Sequence, residues 1–214
     1  MNRETRSIEV RTIIDSRTVE GYALVFNSLS KDLGGFREEI VPEAIEGVIE
    51  RSDIMALLNH DNSRGILARC KYGKGSLSFE VDETGLKYRF ESPKTALGDE
   101  LLEYLNRGEI DSSSFAFTVS EDKWVKGEDG MYTRTITKFD RLFDVSPVFT
   151  PAYDATSVKC ARFDEIKEEE RLENERLMKE AEERAAQEAA EAKAKLDEYY
   201  FNLIAQNQDY MPEI

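Results

Sequence analysis

Between Pro151 and Pro212 the chain carries neither glycine nor proline, and within that stretch Asp164 to Glu198 holds 14 acidic and 7 basic residues with 7 alanines. Ala, Glu, Lys and Arg give up little conformational freedom in a helix, so this composition predicts one long, solvated helix. Its larger apolar side chains, Ile166, Leu172, Leu177, Met178 and Leu196, are too sparse for a sustained heptad seam. Such a helix buries little, and the core must come from the residues before it. We therefore expect a folded domain over residues 1–159 and an acidic helical tail over 160–214, at most a weakly self-associating arm. The closing YYFNLIAQNQDYMPEI turns aromatic and reads either as a docking helix or as a disordered tip.

Before the tail the pattern is mostly β. In GYALVFN, Tyr22, Leu24 and Phe26 recur at period two while Ala23 and Val25 make the other face apolar, which predicts a strand covered on both sides. LSFEV and LKYRF alternate around the turn DETG as a hairpin, with Leu77, Phe79 and Val81 on one strand and Leu86, Tyr88 and Phe90 on the other. Two helices interrupt the strands. PEAIEGVIER opens on Pro42, a residue suited to a first helical turn, and TALGDELLEYLNRG sets Leu97, Leu101, Leu102 and Leu105 at helical spacing with Gly108 as its end. Short strands, two helices and no βαβ alternation predict a mainly β, α+β domain: a barrel or packed sheets with peripheral helices.

The totals exclude several functions. A net charge of −15 opposes general affinity for nucleic acid, which depends on Lys and Arg neutralising phosphates, and favours basic or hydrophobic protein partners. No window approaches the roughly 18 apolar residues that a membrane span needs, and the polar opening MNRETRSIEV does not read as a signal peptide. The expectation is a soluble, intracellular chain. Two distant cysteines, Cys70 and Cys160, and one histidine imply neither a metal site nor a disulfide framework, and no cofactor is expected.

That single histidine constrains any imidazole chemistry to His60, at the end of the apolar run in DIMALLNHDNSRG. If the run is extended, His60 shares a face with Ile54, Ala56 and Leu58; strand ends feeding loops are where a scaffold presents reactive groups. Imidazole can take and return a proton near neutral pH, and a serine needs such a base to become a nucleophile, with a carboxylate as the natural third member. IDSSSFAF, residues 110–117, offers three serines ahead of an aromatic alternation. By alternation Phe115, Phe117 and Val119 take one face, and Ser114, Ala116 and Thr118 the other. The serines read equally as polar residues entering a strand.

Four segments in order, GYALVFN, LLNHD, RGEIDSSSFAF and FDVSPVFTPAYDA, resemble the prohead (capsid maturation) proteases of tailed phages with HK97-type capsids, a family similar in fold to the herpesvirus assembly proteases. The resemblance covers roughly residues 8–158, with the acidic tail outside it. It implies a herpesvirus-protease-like β-barrel with helices around it, followed here by the long C-terminal helix. It also implies a site: His60 as the base, Ser114 before Phe115 as the nucleophile, and Asp144 in FDVSPVFTPA as the carboxylate, with Ser112 and Ser113 as the approach. Asp61 ranks below Asp144, because adjacency on an extended strand sends it away from the His60 ring. Asp144 can also be read as exposed, or as paired with Arg141 or Arg134. The herpesvirus enzymes use a second histidine, which this chain lacks. Ala116 departs from the family's usual glycine, and its methyl is expected to narrow the approach beside the nucleophile.

The activity implied by the resemblance is that of a serine endopeptidase. It would cleave scaffold, or the scaffold-like arm of the major capsid protein, inside the assembling prohead in the host cytoplasm, with self-cleavage. Capsid protein and scaffold are the implied partners, the portal a further one, with neither nucleic acid nor membrane. The acidic tail would be scaffold-like or trimmed. The alternative is a non-enzymatic assembly protein with a degenerate protease domain. A small-molecule esterase is a weaker rival, since no GxSxG elbow surrounds Ser114.

Overall fold

In the computed structural model, which describes residues 4–9, 13–15, 17–149 and 161–208, the chain divides into two units, Met1–Lys159 and Cys160–Ile214. The first unit begins with β1 (Glu4–Glu9), β2 (Ile13–Asp15), β3 (Thr18–Val25), β4 (Phe36–Ile40), α1 (Val48–Arg51), β5 (Asp53–Ala56) and β6 (Ala68–Lys71). It continues with β7 (Lys74–Gly75), β8 (Leu77–Val81), β9 (Gly85–Glu91), α2 (Ala96–Asn106), β10 (Ser112–Lys126) and β11 (Tyr132–Val148). The second unit holds α3 (Ala161–Gln208).

Among the described residues the strands form two sheets. The larger runs β1-β10-β11-β5-β6-β7, with β4 paired to the far half of β11; the smaller runs β2-β3-β9-β8. Val19, Leu24, Tyr88 and Phe90 of the smaller sheet share one core cluster with Phe115, Phe117, Phe139, Leu142 and Val145 of the larger. The rings of Phe115 and Phe117 stack at 4.9 Å, and Phe139 lies 4.8 Å from Phe117, favourable spacings for aromatic packing. The unit is mainly β with short helices beside the sheets, and the chain continues into one long helix, as the pattern of residues predicts.

The β8–β9 hairpin has the expected register, with Leu77 opposite Phe90, Phe79 opposite Tyr88 and Val81 opposite Leu86. Val81 at its tip is nevertheless exposed. The helix α2 is also as read: the Thr95 hydroxyl accepts from the Gly98 N–H at 3.2 Å, and Gly108 takes the left-handed φ of 69° beyond its end. Two expectations need correction. The continuous helix expected over PEAIEGVIER is a 3-10 turn, Pro42–Ile45, and then α1, because Gly47 between them adopts φ 63° and breaks the ladder. In β3 an extra residue bulges between Tyr22 and Leu24, so these two lie on opposite faces. Leu24 enters the core, while the half-buried Tyr22 donates to Asp82 Oδ2 at 2.6 Å.

At the far end of β11 the buried Arg134 guanidinium binds carboxylates from three strands. It meets both oxygens of Glu4 on β1 at 2.5 and 2.9 Å, Glu38 on β4 at 3.0 Å and Asp122 on β10 at 2.8 Å. The bidentate fork suits Arg rather than Lys, and it ties the edge strand β1 to the sheet that carries the serine run. α3, considered by itself, is solvated on nearly every described residue and laced with pairs such as Arg171 with Glu168 and Glu175, each a minor contribution. Of the aromatic end, the helix continues to Gln208, and residues 209–214 lie outside the described ones. Replacing Arg134 with Ala strands three largely buried carboxylates. Urea unfolding of that variant should show a loss of about 3–5 kcal/mol; a loss below about 1 kcal/mol would make the cluster a surface-like network.

Candidate active site

Three strands assemble the site. β10 and β11 pair antiparallel with Ser114 opposite Ser146 and Ala116 opposite Asp144, so Ser114, Ala116, Asp144 and Ser146 lie on one face of the ribbon. Phe115 and Val145 point the other way, into the core. Strict period-two alternation along β11 would also place Leu142 on the face of Asp144. It does not, because Phe143 is an extra residue in the ladder: Phe117 pairs with Leu142 while Ala116 pairs with Asp144. This bulge returns Leu142 to the core and leaves Asp144 on the site face.

The third strand delivers His60. β5 runs parallel to β11, with Met55 beside Asp144 and Ala56 beside Val145. Past its end the chain stays alongside, through Leu57 N–H to Val145 O at 3.1 Å and Asn59 N–H to Pro147 O at 3.0 Å. It then turns at Asn59 and His60, which both hold left-handed backbone angles, φ 55° and 59°. The extended alternation expected for this run therefore ends before His60. Positive φ is uncommon outside glycine, although Asn and His tolerate it better than most residues; two in succession mark a turn held by its surroundings.

The result is a continuous chain of hydrogen bonds. His60 Nδ1 lies 2.5 Å from Asp144 Oδ1, and His60 Nε2 lies 2.6 Å from Ser114 Oγ. With Asp144 ionised its oxygens only accept, so Nδ1–H donates to it and the neutral ring presents an unprotonated Nε2 to the Ser114 hydroxyl. Asp144 and Ser114 have no exposed surface, whereas the His60 side chain keeps 26% of its own. The imidazole is thus the part of the constellation that meets solvent. A second hydroxyl joins it: Ser146 Oγ donates to Asp144 Oδ1 at 2.9 Å.

All three predicted site residues are therefore joined through His60, which reaches Asp144 with one ring nitrogen and Ser114 with the other. Asp144 is fully buried and meets His60, while the Arg134 guanidinium binds Glu4, Glu38 and Asp122. Asp61 is occupied elsewhere, accepting from Ser63 N–H at 2.9 Å and Ser63 Oγ–H at 2.6 Å, and these bonds hold its carboxyl below the usual range. The serine run is not a loop. Ser112 opens β10 and donates to Asp111 at 2.7 Å, while Ser113 turns inward and shares a 2.6 Å hydrogen bond with Tyr88 Oη. Burial pushes the Tyr88 phenol up to about 12. Gly21 makes room for this pair, since a Cβ there would sit 2.9 Å from Tyr88 Oη and 3.2 Å from Ser113 Oγ.

Ala116 is fully buried opposite Asp144. It shares the site face with Ser114, two residues before it on β10. Ser146 was legible only as a face-mate of Asp144. The i, i+2 spacing was the signal available for it, but a hydroxyl two residues from a carboxylate is too common to single out.

A hydroxyl, an imidazole and a carboxylate in this series can perform acyl transfer: the imidazole takes the hydroxyl proton, and the carboxylate holds its tautomer and stabilises the imidazolium. The sequence matches the caudovirus prohead serine protease family over residues 4–171. The chain belongs to that family. The match begins before and ends beyond the span expected from the four motifs, reaching into α3. No curated protein matches at a significant level. Among solved structures, the bacteriophage T4 capsid assembly protease is similar at 12% identity and a TM-score of 0.39, covering 69% of this chain and 99% of that one.

Ser113→Ala removes the partner of a buried phenol and should lower unfolding stability by about 1–3 kcal/mol in urea titrations, leaving the Ser114–His60 contact in place. A neutral result would mean that Tyr88 is satisfied without Ser113.

Proposed function

We propose that the protein is a serine endopeptidase in which Ser114 is the nucleophile, His60 the general base and acid, and Asp144 the residue that orients His60. The observation that carries this reading is the unbroken series Asp144 Oδ1, His60 Nδ1, His60 Nε2, Ser114 Oγ, with links of 2.5 and 2.6 Å. Ser114 Oγ attacks the peptide carbonyl carbon as its proton passes to His60 Nε2. The tetrahedral intermediate collapses when His60 returns that proton to the leaving amine, giving an acyl-enzyme. A water, deprotonated by the same nitrogen, then releases the acid and restores Ser114.

Family membership supports a role in capsid maturation, acting on capsid or scaffold proteins. We infer that the substrate is the scaffold or the scaffold-like arm of the major capsid protein within the assembling prohead, followed by self-cleavage. The solvated acidic helix α3 fits an arm that brings the enzyme into the shell and is later trimmed. A domain that only binds during assembly has no need of a base bonded to both a serine and a buried carboxylate.

Co-expression with the major capsid protein, read by fragment masses, tests the chemistry. Ser114→Ala and His60→Ala should lower cleavage by roughly 10⁴-fold, and Asp144→Asn by a similar factor, while Asp61→Asn stays near wild type. Cleavage unchanged in the Ser114 or His60 variant would sink the mechanism, and loss in Asp61→Asn alone would move the carboxylate role to Asp61. Deleting residues 160–214 should abolish packaging into proheads yet spare cleavage of a peptide substrate; normal packaging would remove the targeting role from α3.

A further inference from the structure

Ser146 follows Asp144 by two residues on β11 and is fully buried, as Asp144 is. Its hydroxyl reaches Asp144 Oδ1 at 2.9 Å, the same oxygen that receives His60 Nδ1–H at 2.5 Å. In the ladder it stands directly opposite Ser114. Ser146 is thus opposite Ser114 in register and bonded to the carboxylate.

A carboxylate held by one donor can still rotate about its terminal torsion, which is broad and roughly two-fold. Two donors converging on one oxygen define which oxygen faces the ring and at what angle. Ala116, the residue opposite Asp144, offers no side-chain donor to do this.

We propose that Ser146 is a positioning residue for the Asp144–His60 pair: its hydroxyl fixes the Asp144 carboxylate in the rotamer that receives His60 Nδ1–H. The inference deepens the reading of Ser114, His60 and Asp144 as the catalytic series and rests on it. Ser146 acts through Asp144, to which its hydroxyl is bonded. The expected consequence of its loss lies in turnover and not in substrate binding.

The chain's single histidine makes the test direct, because a histidine-labelled sample reports one imidazole with no assignment step. The full-length protein, Ser146→Ala, Ser146→Cys and Ser114→Ala are compared on a fluorogenic peptide covering the first bond that the wild type cuts. Ser146→Ala should lower kcat about tenfold to a hundredfold with KM unchanged, the range expected for losing a hydrogen bond to a charged group. Its His60 Nδ1 proton resonance should move upfield or broaden. Ser146→Cys keeps the volume with a weaker donor and should fall between wild type and Ala in both readouts, which decides the matter if the Ala variant does not fold.

Unchanged kcat and an unchanged Nδ1 resonance in the Ser146 variants, while Ser114→Ala is inactive, would overturn the positioning role alone. A rise in KM with kcat intact would also overturn it, by placing Ser146 in substrate binding. If Ser114→Ala retains full cleavage, the catalytic reading fails; a resonance that still moves in the Ser146 variants would then leave the positioning of His60 intact.

Discussion

Asp144 has no exposed surface in the middle of β11, and a carboxylate so placed is tolerable only where donors reach it. His60 Nδ1 and Ser146 Oγ are two that do. Satisfying this one charge sets the geometry around it. The loop after β5 has to carry an imidazole over β11, and β10 and β11 have to hold a register in which Ser114 shares that face. A slip of one residue would send Ser114 into the core and the Phe115 ring into the site.

Ser114 and Asp144 stand on paired strands, the most constrained backbone of the site. Ser114 lies on a strand paired on both sides, with Ser7 of β1 and Ser146 of β11 opposite it. His60 comes from a turn and keeps a partly exposed ring. The Arg134 cluster serves the same end at a distance, since it fastens β1 against β10 through Glu4. Bulges let the long ribbon serve both purposes: near Phe143 the same strand switches from packing Leu142 into the core to presenting Asp144 outward.

For a capsid maturation protease this division of the chain has physical sense. Proteolysis demands a rigid, largely buried series of groups, and the first unit supplies it. The helix α3, solvated on nearly every described residue, has no core of its own and leaves that task to the first unit. Ser112 and Ser113 show how little residue type alone conveys in such a scaffold. Three neighbouring hydroxyls have three different tasks: one at the strand entrance, one bonded to a buried phenol and one against the imidazole.

Much of this was legible in the residues. The helix α3 follows from composition, the β8–β9 hairpin from alternation around DETG, and α2 from its leucine spacing and its Thr95 and Gly108 ends, because each depends on local propensity or period. The lone histidine limited the choice of base, and resemblance to a family pointed to Ser114 and Asp144. Tertiary structure alone decided the rest. No period in the sequence announces the extra residue at Phe143 or the one between Tyr22 and Leu24, since a bulge is a mismatch between two strands and not a property of either. Nor could the chain show that His60, read as the end of an extended run, sits on a left-handed turn, or that Ser146 donates to Asp144. The turn at His60 follows the parallel pairing of β5 with β11, whose residues lie far apart in sequence, and the Ser146 bond follows the rotamers that the packed site face allows.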